Sequence, residues 1–341
     1  MTVTKAALAA ALLSVALTSG ARAQGLDRIE LRNGSVVLGT ITDAEGGTIT
    51  VETDFAGVVD IDREQVATLR SKRPFTLQLA DGTVLESTPL QVENDRLVGL
   101  DGGGGYALAD LTRVNPEPWE LGRGYHWTGL ASAGLAIEQG NTDTRELDYR
   151  AESTWRSLRD RITLRLVGEF DEANGEKNAE NWIFTSKYDR FLAERDWYWG
   201  VNALFEHDEF ADTELRSTVG PYVGKTFFDA PRFTLEAEAG AAYVSEDFFV
   251  AEDRDYAAAT WHVSMSSDIL GEGTQLYFLQ NGNVALQSGA GILVNTTAGV
   301  SVPLLLNIEG AAEVIWKYDS GAVDNVESLD QAYQFRLGYR W

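Results

Sequence analysis

Tyr333-Gln334-Phe335-Arg336-Leu337-Gly338-Tyr339-Arg340-Trp341 closes the chain, and its reading decides the fold. Every second residue is large and apolar, and the residues between them are Gln334, Arg336, Gly338 and Arg340. A strict period of two is a β-strand with one greasy and one polar face. A soluble strand seldom sets five large apolar side chains in a row on one face and then ends on Trp. The strand of an outer-membrane barrel does, because its greasy face meets lipid and its polar face meets the lumen.

Upstream, the same alternation recurs in strand after strand from Tyr125 onward. Trp127, Gly129, Ala131, Ala133, Leu135 and Ile137 share one face. Leu147, Tyr149, Ala151, Ser153 and Trp155 share another, with Glu146, Asp148, Arg150, Glu152 and Arg156 opposite. Ile162, Leu164, Leu166, Gly168 and Phe170 stand against Arg161, Arg165, Glu169 and Asp171. Phe233 to Tyr243 alternates with Glu236 and Glu238. Leu304, Leu306, Ile308, Ala312, Val314 and Trp316 read as one strand opposed by Asn307, Glu309, Glu313 and Lys317. Glu152, Arg156, Arg161, Arg165, Glu236, Glu238, Glu309 and Glu313 are thus candidate lumen-facing charges. Trp127, Trp155, Tyr243, Trp316, Tyr339 and Trp341 are candidate membrane-interface aromatics.

Connections alternate in length. Short ones are expected at Leu158–Asp160, Ala193–Arg195, Phe228–Ala230, Gly271–Gly273 and Pro303, and longer polar ones at 139–144, 172–179, 208–214, 246–255, 286–290 and 319–330. The count is about twelve strands, an even number with short periplasmic turns and longer outer loops. The fold class is therefore an all-β transmembrane antiparallel barrel over 125–341. Outer-membrane lipid and lipopolysaccharide are its expected surroundings, and the C-terminal strand is its expected handle for the barrel assembly machinery. After the N-terminus no apolar run reaches the roughly 18 residues of a spanning helix.

Residues 1–23 read as a secretory signal: Lys5, an apolar stretch Ala6 to Leu17, and Ala21-Arg22-Ala23 before Gln24. Residues 24–118 read as a periplasmic β domain in two related halves. Asn33-Gly34 and Asp81-Gly82 each join alternating strands as tight turns, at a spacing that suggests two small SH3-like barrels side by side. The run Asp101 to Gly105 lacks the Lys-Ser/Thr and helix of a phosphate cradle, so a loose hairpin is the plainer reading. Pro116-Glu117-Pro118 breaks the pattern, and 119–124 is a linker.

Charge and composition exclude several functions. The chain has no cysteine, so no disulfide, thiol nucleophile or thiolate metal site exists. A formal charge of −24 argues against nucleic acid as a partner. From residue 119 onward there are 18 basic against 36 acidic side chains. Much of that excess falls in expected outer loops such as Glu206 to Glu209 and Glu246 to Asp255. A solvated acidic surface is the plainer reading, and divalent cations at these loops the sharper one. No loop has ligand spacing that nominates a metal site, and no cofactor motif is present.

Gly134, then Gly140-Asn141-Thr142-Asp143-Thr144 after the first barrel strand, then amphipathic strands to an aromatic end, resembles the salt-induced outer-membrane protein family (domain-of-unknown-function family 481). The resemblance covers residues 125–341. It implies an outer-membrane barrel with no catalytic residues to carry over.

His262-Val263-Ser264 is the one pair that invites an enzymatic reading, since it resembles the His-x-Ser of the outer-membrane phospholipase. Two residues apart on a strand, both side chains share a face. A turn centred on Gly271-Glu272 sets His262 opposite Asn281, a residue able to orient the ring. Ala257, Ala259, Trp261, Val263 and Met265 form the apolar face, however, so His262 and Ser264 point into the lumen, away from lipid. The expected function is a non-enzymatic barrel for passive passage of small solutes or ions, or for an envelope-structural role. The alternatives are binding or adhesion through the outer loops and a membrane-embedded hydrolase using His262 and Ser264.

This topology predicts that an impermeant thiol reagent on intact cells labels Asp253→Cys and spares Asp81→Cys; the reverse pattern would refute it.

Overall fold

The computed structural model describes residues 26–99, 105–138, 144–192, 196–230, 232–271, 273–286, 291–322 and 327–341. The signal segment, the glycines at 102–104, positions 140–143 of the Gly140–Thr144 motif and the connections at 193–195 and 287–290 lie outside the described residues. The chain divides into two compact units, 1–117 and 118–341.

The first unit holds β1 (Asp27–Leu31), β2 (Val36–Glu45), β3 (Thr48–Thr53), β4 (Gly57–Asp62), β5 (Val66–Leu79), β6 (Val84–Glu93), β7 (Arg96–Leu97) and β8 (Leu111–Val114). They form one sheet in the order β4-β3-β2-β1-β5-β6-β7, with β8 pairing both β2 and β5. The two turns recognised in the sequence have the same construction. Leu31 N–H donates to Ser35 O and Gly34 N–H to Leu31 O; Leu79 N–H donates to Thr83 O and Gly82 N–H to Leu79 O. Gly34 (φ 87°) and Gly82 (φ 86°) occupy the left-handed position that such a turn requires. The Asn33 and Asp81 side chains accept from the backbone N–H two residues on, at 2.9 and 2.8 Å. A short 3-10 turn precedes the closing strand in each half, at Arg63–Gln65 and Leu108–Asp110.

The halves are not separate barrels side by side. The first part of β5 pairs with β1 and its last part with β8, so one strand serves both. Their apolar faces pack into a single cluster running from Ile29 through Leu77 to Val114. Halves this short bury too little surface alone, which favours a shared core.

The second unit is a closed antiparallel barrel of twelve strands. These are β9 (His126–Glu138), β10 (Thr144–Arg156), β11 (Asp160–Ala173), β12 (Glu176–Phe191), β13 (Trp197–Asp208), β14 (Thr213–Ala230), β15 (Phe233–Phe248), β16 (Arg254–Ser267), β17 (Gln275–Ala285), β18 (Ile292–Leu305), β19 (Ile308–Asp319) and β20 (Leu329–Arg340). Each strand pairs with its sequence neighbour, and β20 returns to β9. The chain enters and leaves at the same end, called the near end here; the β9–β10 connection marks the far end. Among the described residues the closing seam is short: register pairs run from Leu337↔Ala133 to Arg340↔Leu130, finished by reciprocal Gly129 and Trp341 backbone bonds of 3.0 Å.

Several connections differ from the sequence reading. The segment 172–179 is not a long loop, because Asn174-Gly175, with φ of 54° and 82°, turns β11 directly into β12. Pro303 is not a turn either. It lies on β18, and the hairpin turns at Leu306-Asn307, with φ of 43° and 67°, so Leu304 and Ile308 belong to different strands. Strand β14 continues through Ala230. Asp171, Glu172, Glu206 to Asp208, Glu246 and Asp247 are strand residues, not loop residues. Extra strand length at the far end absorbed what composition marked as loop.

In the first unit, Asp27 is fully buried; it accepts from Ile41 N–H at 2.8 Å and is ion-paired to Arg73. Asp27→Ala should cost roughly 3–5 kcal/mol by stranding that partner in the sheet. Arg113→Ala, which removes the exposed pair with Glu45, should cost under about 1 kcal/mol. Urea denaturation of the full chain measures both, and equal losses would contradict the packing.

Candidate functional site: the charged lumen

Alternation along each barrel strand puts one set of side chains outside and the other inside. Outside, on β20, Tyr333, Phe335 and Leu337 are 69%, 78% and 62% exposed. Trp127, Trp155, Tyr339 and Trp341 lie on the outer wall at the near end. Trp127 stacks on Trp155 at 6.4 Å and meets Trp341 edge-on at 5.7 Å. Tyr243 and Trp316 lie on the outer wall toward the far end.

Inside, charges meet in three tiers. Near the entry end, Arg161 on β11 bonds Asp189 on β12 at 2.6 Å and, four strands away, Glu236 on β15 at 3.0 and 3.1 Å. Lys187 reaches Glu238 at 2.7 Å. Tyr198 donates to Glu238 at 2.9 Å, and Tyr222 donates to Asp189. Each tyrosine lies across a glycine of the paired strand, Tyr198 over Gly224 and Tyr222 over Gly200, where an added Cβ would overlap the ring. Those glycines are what let the phenols lie flat along the wall and reach the carboxylates. Arg156, opposite Arg161 in register, instead lies over the Phe191 ring at 3.4 Å.

The middle tier centres on Glu313 of β19, which takes Arg150 at 2.8 Å together with Arg336 and Tyr277. Arg336 also donates to Gln334 at 2.9 Å, which donates to Asp148 at 2.6 Å. At the far end Arg216 of β14 holds three carboxylates: Glu246 at 2.6 Å, Asp319 at 3.0 Å and Glu206 at 3.1 Å. Asp319 comes from β19, nearly the opposite wall of a twelve-strand cylinder. Arg254 and Tyr256 complete the shell around Glu246.

Of the charges singled out in the sequence, Glu236, Glu238, Arg161 and Glu313 enter these tiers; Glu309 pairs with Arg340 at 2.8 Å, and Glu152 approaches Arg165 at 3.9 Å. Asp189, Lys187, Arg216, Glu206 and Glu246 were missed. The available signal was sparse: Lys187 and Asp189 on β12, and one charge each at Glu206, Arg216 and Glu246 on β13, β14 and β15. The acidic positions Glu206 and Glu246, expected in solvated loops, instead face the lumen and are neutralised by Arg216. Among the described residues no group of three or more His, Asp or Glu side chains could hold a metal ion. His262 pairs with Asn281 in register, and its Nδ1 lies 2.7 Å from the Asn281 Oδ1. Ser264, two residues along the same strand, lines the near-end cavity, and His262 lines a deeper one.

The tiers divide the interior unequally. A cavity of about 370 Å³ lies toward the near end, cavities of about 120 and 80 Å³ lie deeper, and about 40 Å³ remains around the Arg216 cluster.

A closed twelve-strand barrel with an apolar outer wall and an ion-paired interior is the class that fold and site define. The chain belongs to the DUF481 family, described as proteins of unknown function, whose model matches residues 131–341. No curated protein matches the chain. Among solved structures it is similar to the NanC porin (TM-score 0.40, 9% identity, 62% of this chain and 97% of that one). It is also similar to the translocator domain of the autotransporter NalP from Neisseria meningitidis (0.35, 12%, 63% and 88%). A third is the outer membrane channel DcaP of Acinetobacter baumannii (0.33, 10%, 64% and 96%).

Arg216→Met should lower stability by roughly 3–5 kcal/mol, since it leaves Glu206 buried without its cation and Glu246 with Arg254 alone. Arg216→Lys should recover only part of that loss, because an ammonium cannot fork toward three carboxylates. Thermal unfolding in detergent, followed by circular dichroism, reads both; a silent Arg216→Met would show the tier to be dispensable.

Proposed function

We propose that this chain is a non-enzymatic outer-membrane barrel whose resting lumen is shut by its own ion pairs, serving the envelope structurally rather than as an open pore. The observation that carries the reading is Arg216, which ties β14 to β19 across the interior at the far end. The carboxylates of the entry and far tiers are each held by an arginine or lysine, which supports the reading that the acidic excess of the chain does not line a continuous water path. The outer wall supports membrane placement, since a band as apolar as Tyr333, Phe335 and Leu337 is costly in water and at home in lipid.

In this reading residues 24–118 hang in the periplasm, with both barrel termini at the periplasmic end. The repeated turn, 3-10 segment and closing strand support a description of that unit as two fused SH3-like repeats. Passive ion passage is the second reading, and the wide near-end cavity is what favours it. The inward placement of His262 and Ser264, away from lipid, disfavours a lipid hydrolase.

Planar-bilayer recording of the refolded barrel tests the choice. The wild type should show no steady conductance. Glu236→Gln with Glu238→Gln should lower the unfolding temperature, because Lys187 loses its carboxylate and Arg161 keeps only Asp189. A wild type that conducts steadily with cation preference, and a double variant that loses this preference without losing stability, would replace the closed barrel by a pore.

A further inference from the structure

Three buried nitrogens that lack a hydrogen-bond partner, the Nε atoms of Arg150, Arg165 and Arg336, belong to residues lining one cavity. That cavity, about 120 Å³, is the deeper one at mid-lumen. Lys317 lines it as a fourth cation, and Glu169 is the carboxylate that faces it. Glu169 is already engaged, accepting from Asn181 at 3.3 Å. Arg150 and Arg336 are held by Glu313. Arg165 and Lys317 are held loosely: their carboxylate contacts, Glu152 and Asp208, lie at 3.9 and 3.8 Å, beyond hydrogen-bond reach.

The rest of the wall is mixed, with Asn181, Thr185, Asn281, Asn295, Thr297 and Gln334 beside an aliphatic set. Val167, Ile183, Leu204, Leu279 and Ile315 line the same space from five strands. On each of these strands the inward position could have carried a polar side chain at no cost in water. An aliphatic patch beside an excess of under-used cations matches a ligand that is greasy along its body and anionic at one end. The volume is a little below the ~150 Å³ of an apolar cavity that takes up benzene.

We propose that this cavity binds a small organic monoanion with an apolar body, of the size of an aromatic or short-chain carboxylate. Its acid group pairs with Arg165 and Lys317, and its body packs against the five aliphatic side chains. Arg150, Leu279 and Arg336 also line the larger near-end cavity, so the Arg150–Glu313–Arg336 bridge is the partition the ligand passes on entering from that side. The site does not depend on whether the barrel conducts.

Calorimetric titration of the refolded full chain in detergent tests the site, with benzoate as probe. Benzamide serves as the uncharged counterpart and inorganic phosphate as the anion without an apolar body. Benzoate should bind saturably at one site, and both comparison compounds about tenfold or more weakly, as expected when a charge-assisted bond or the apolar contact is lost. Arg165→Met should weaken benzoate by about tenfold, and Thr297→Trp, which fills the cavity, should abolish binding. Lys317→Met carries the same test should Arg165→Met fail to fold. Absence of saturable benzoate binding, equal affinity for benzoate and benzamide, or binding indifferent to the cavity-filling change would each overturn the proposal.

Discussion

A strand two residues in period has only two sides, and in a closed wall that constraint decides where every charge goes. Once Tyr333, Phe335 and Leu337 face outward, Gln334, Arg336 and their counterparts on eleven other strands must share a narrow interior. Ionised groups confined there are tolerable only when paired. Arg161 with Asp189 and Glu236, Glu313 with Arg150 and Arg336, and Arg216 with its three carboxylates are therefore what the outer wall demands of the inner one. The glycines beneath Tyr198 and Tyr222 belong to the same arrangement, since they make room for phenols that complete the carboxylates' bonding.

The wall itself was legible because strands with one apolar and one polar face advertise a period of two residue by residue. Even a register was readable: a turn at Gly271-Glu272 places His262 opposite Asn281, and the two side chains meet. Turns were less legible where the chain used an unusual residue. Leu306 adopts a left-handed conformation that a leucine seldom takes, while Pro303, the expected punctuation, sits in a strand disturbed by a bulge. At Asn174-Gly175 a two-residue hairpin was hidden inside a run of acidic and polar residues that composition alone assigns to a loop.

The interior was legible only in part, for a geometric reason. Sequence alternation says that Glu236 and Arg161 face inward, but their strands are four apart, and whether they meet depends on the girth of the cylinder. Arg216 and Asp319, separated by five strands, are further still from local inference. The aliphatic inward positions Val167, Ile183 and Ile315 were unreadable as a site because each interrupts an otherwise polar face singly, and only closure brings them together.

The short seam between β9 and β20 bears on how the molecule comes to exist at all. Every other pairing in the wall joins strands adjacent in sequence and can zip up as a hairpin as soon as its two strands meet. Ala133 and Leu337 come from opposite ends of the barrel's sequence, so their pairing carries the greatest loop-closure entropy for the fewest backbone bonds. That joint is thus the most expensive in the wall to close, and the two Gly129–Trp341 backbone bonds at the near end lengthen it where its ladder is shortest.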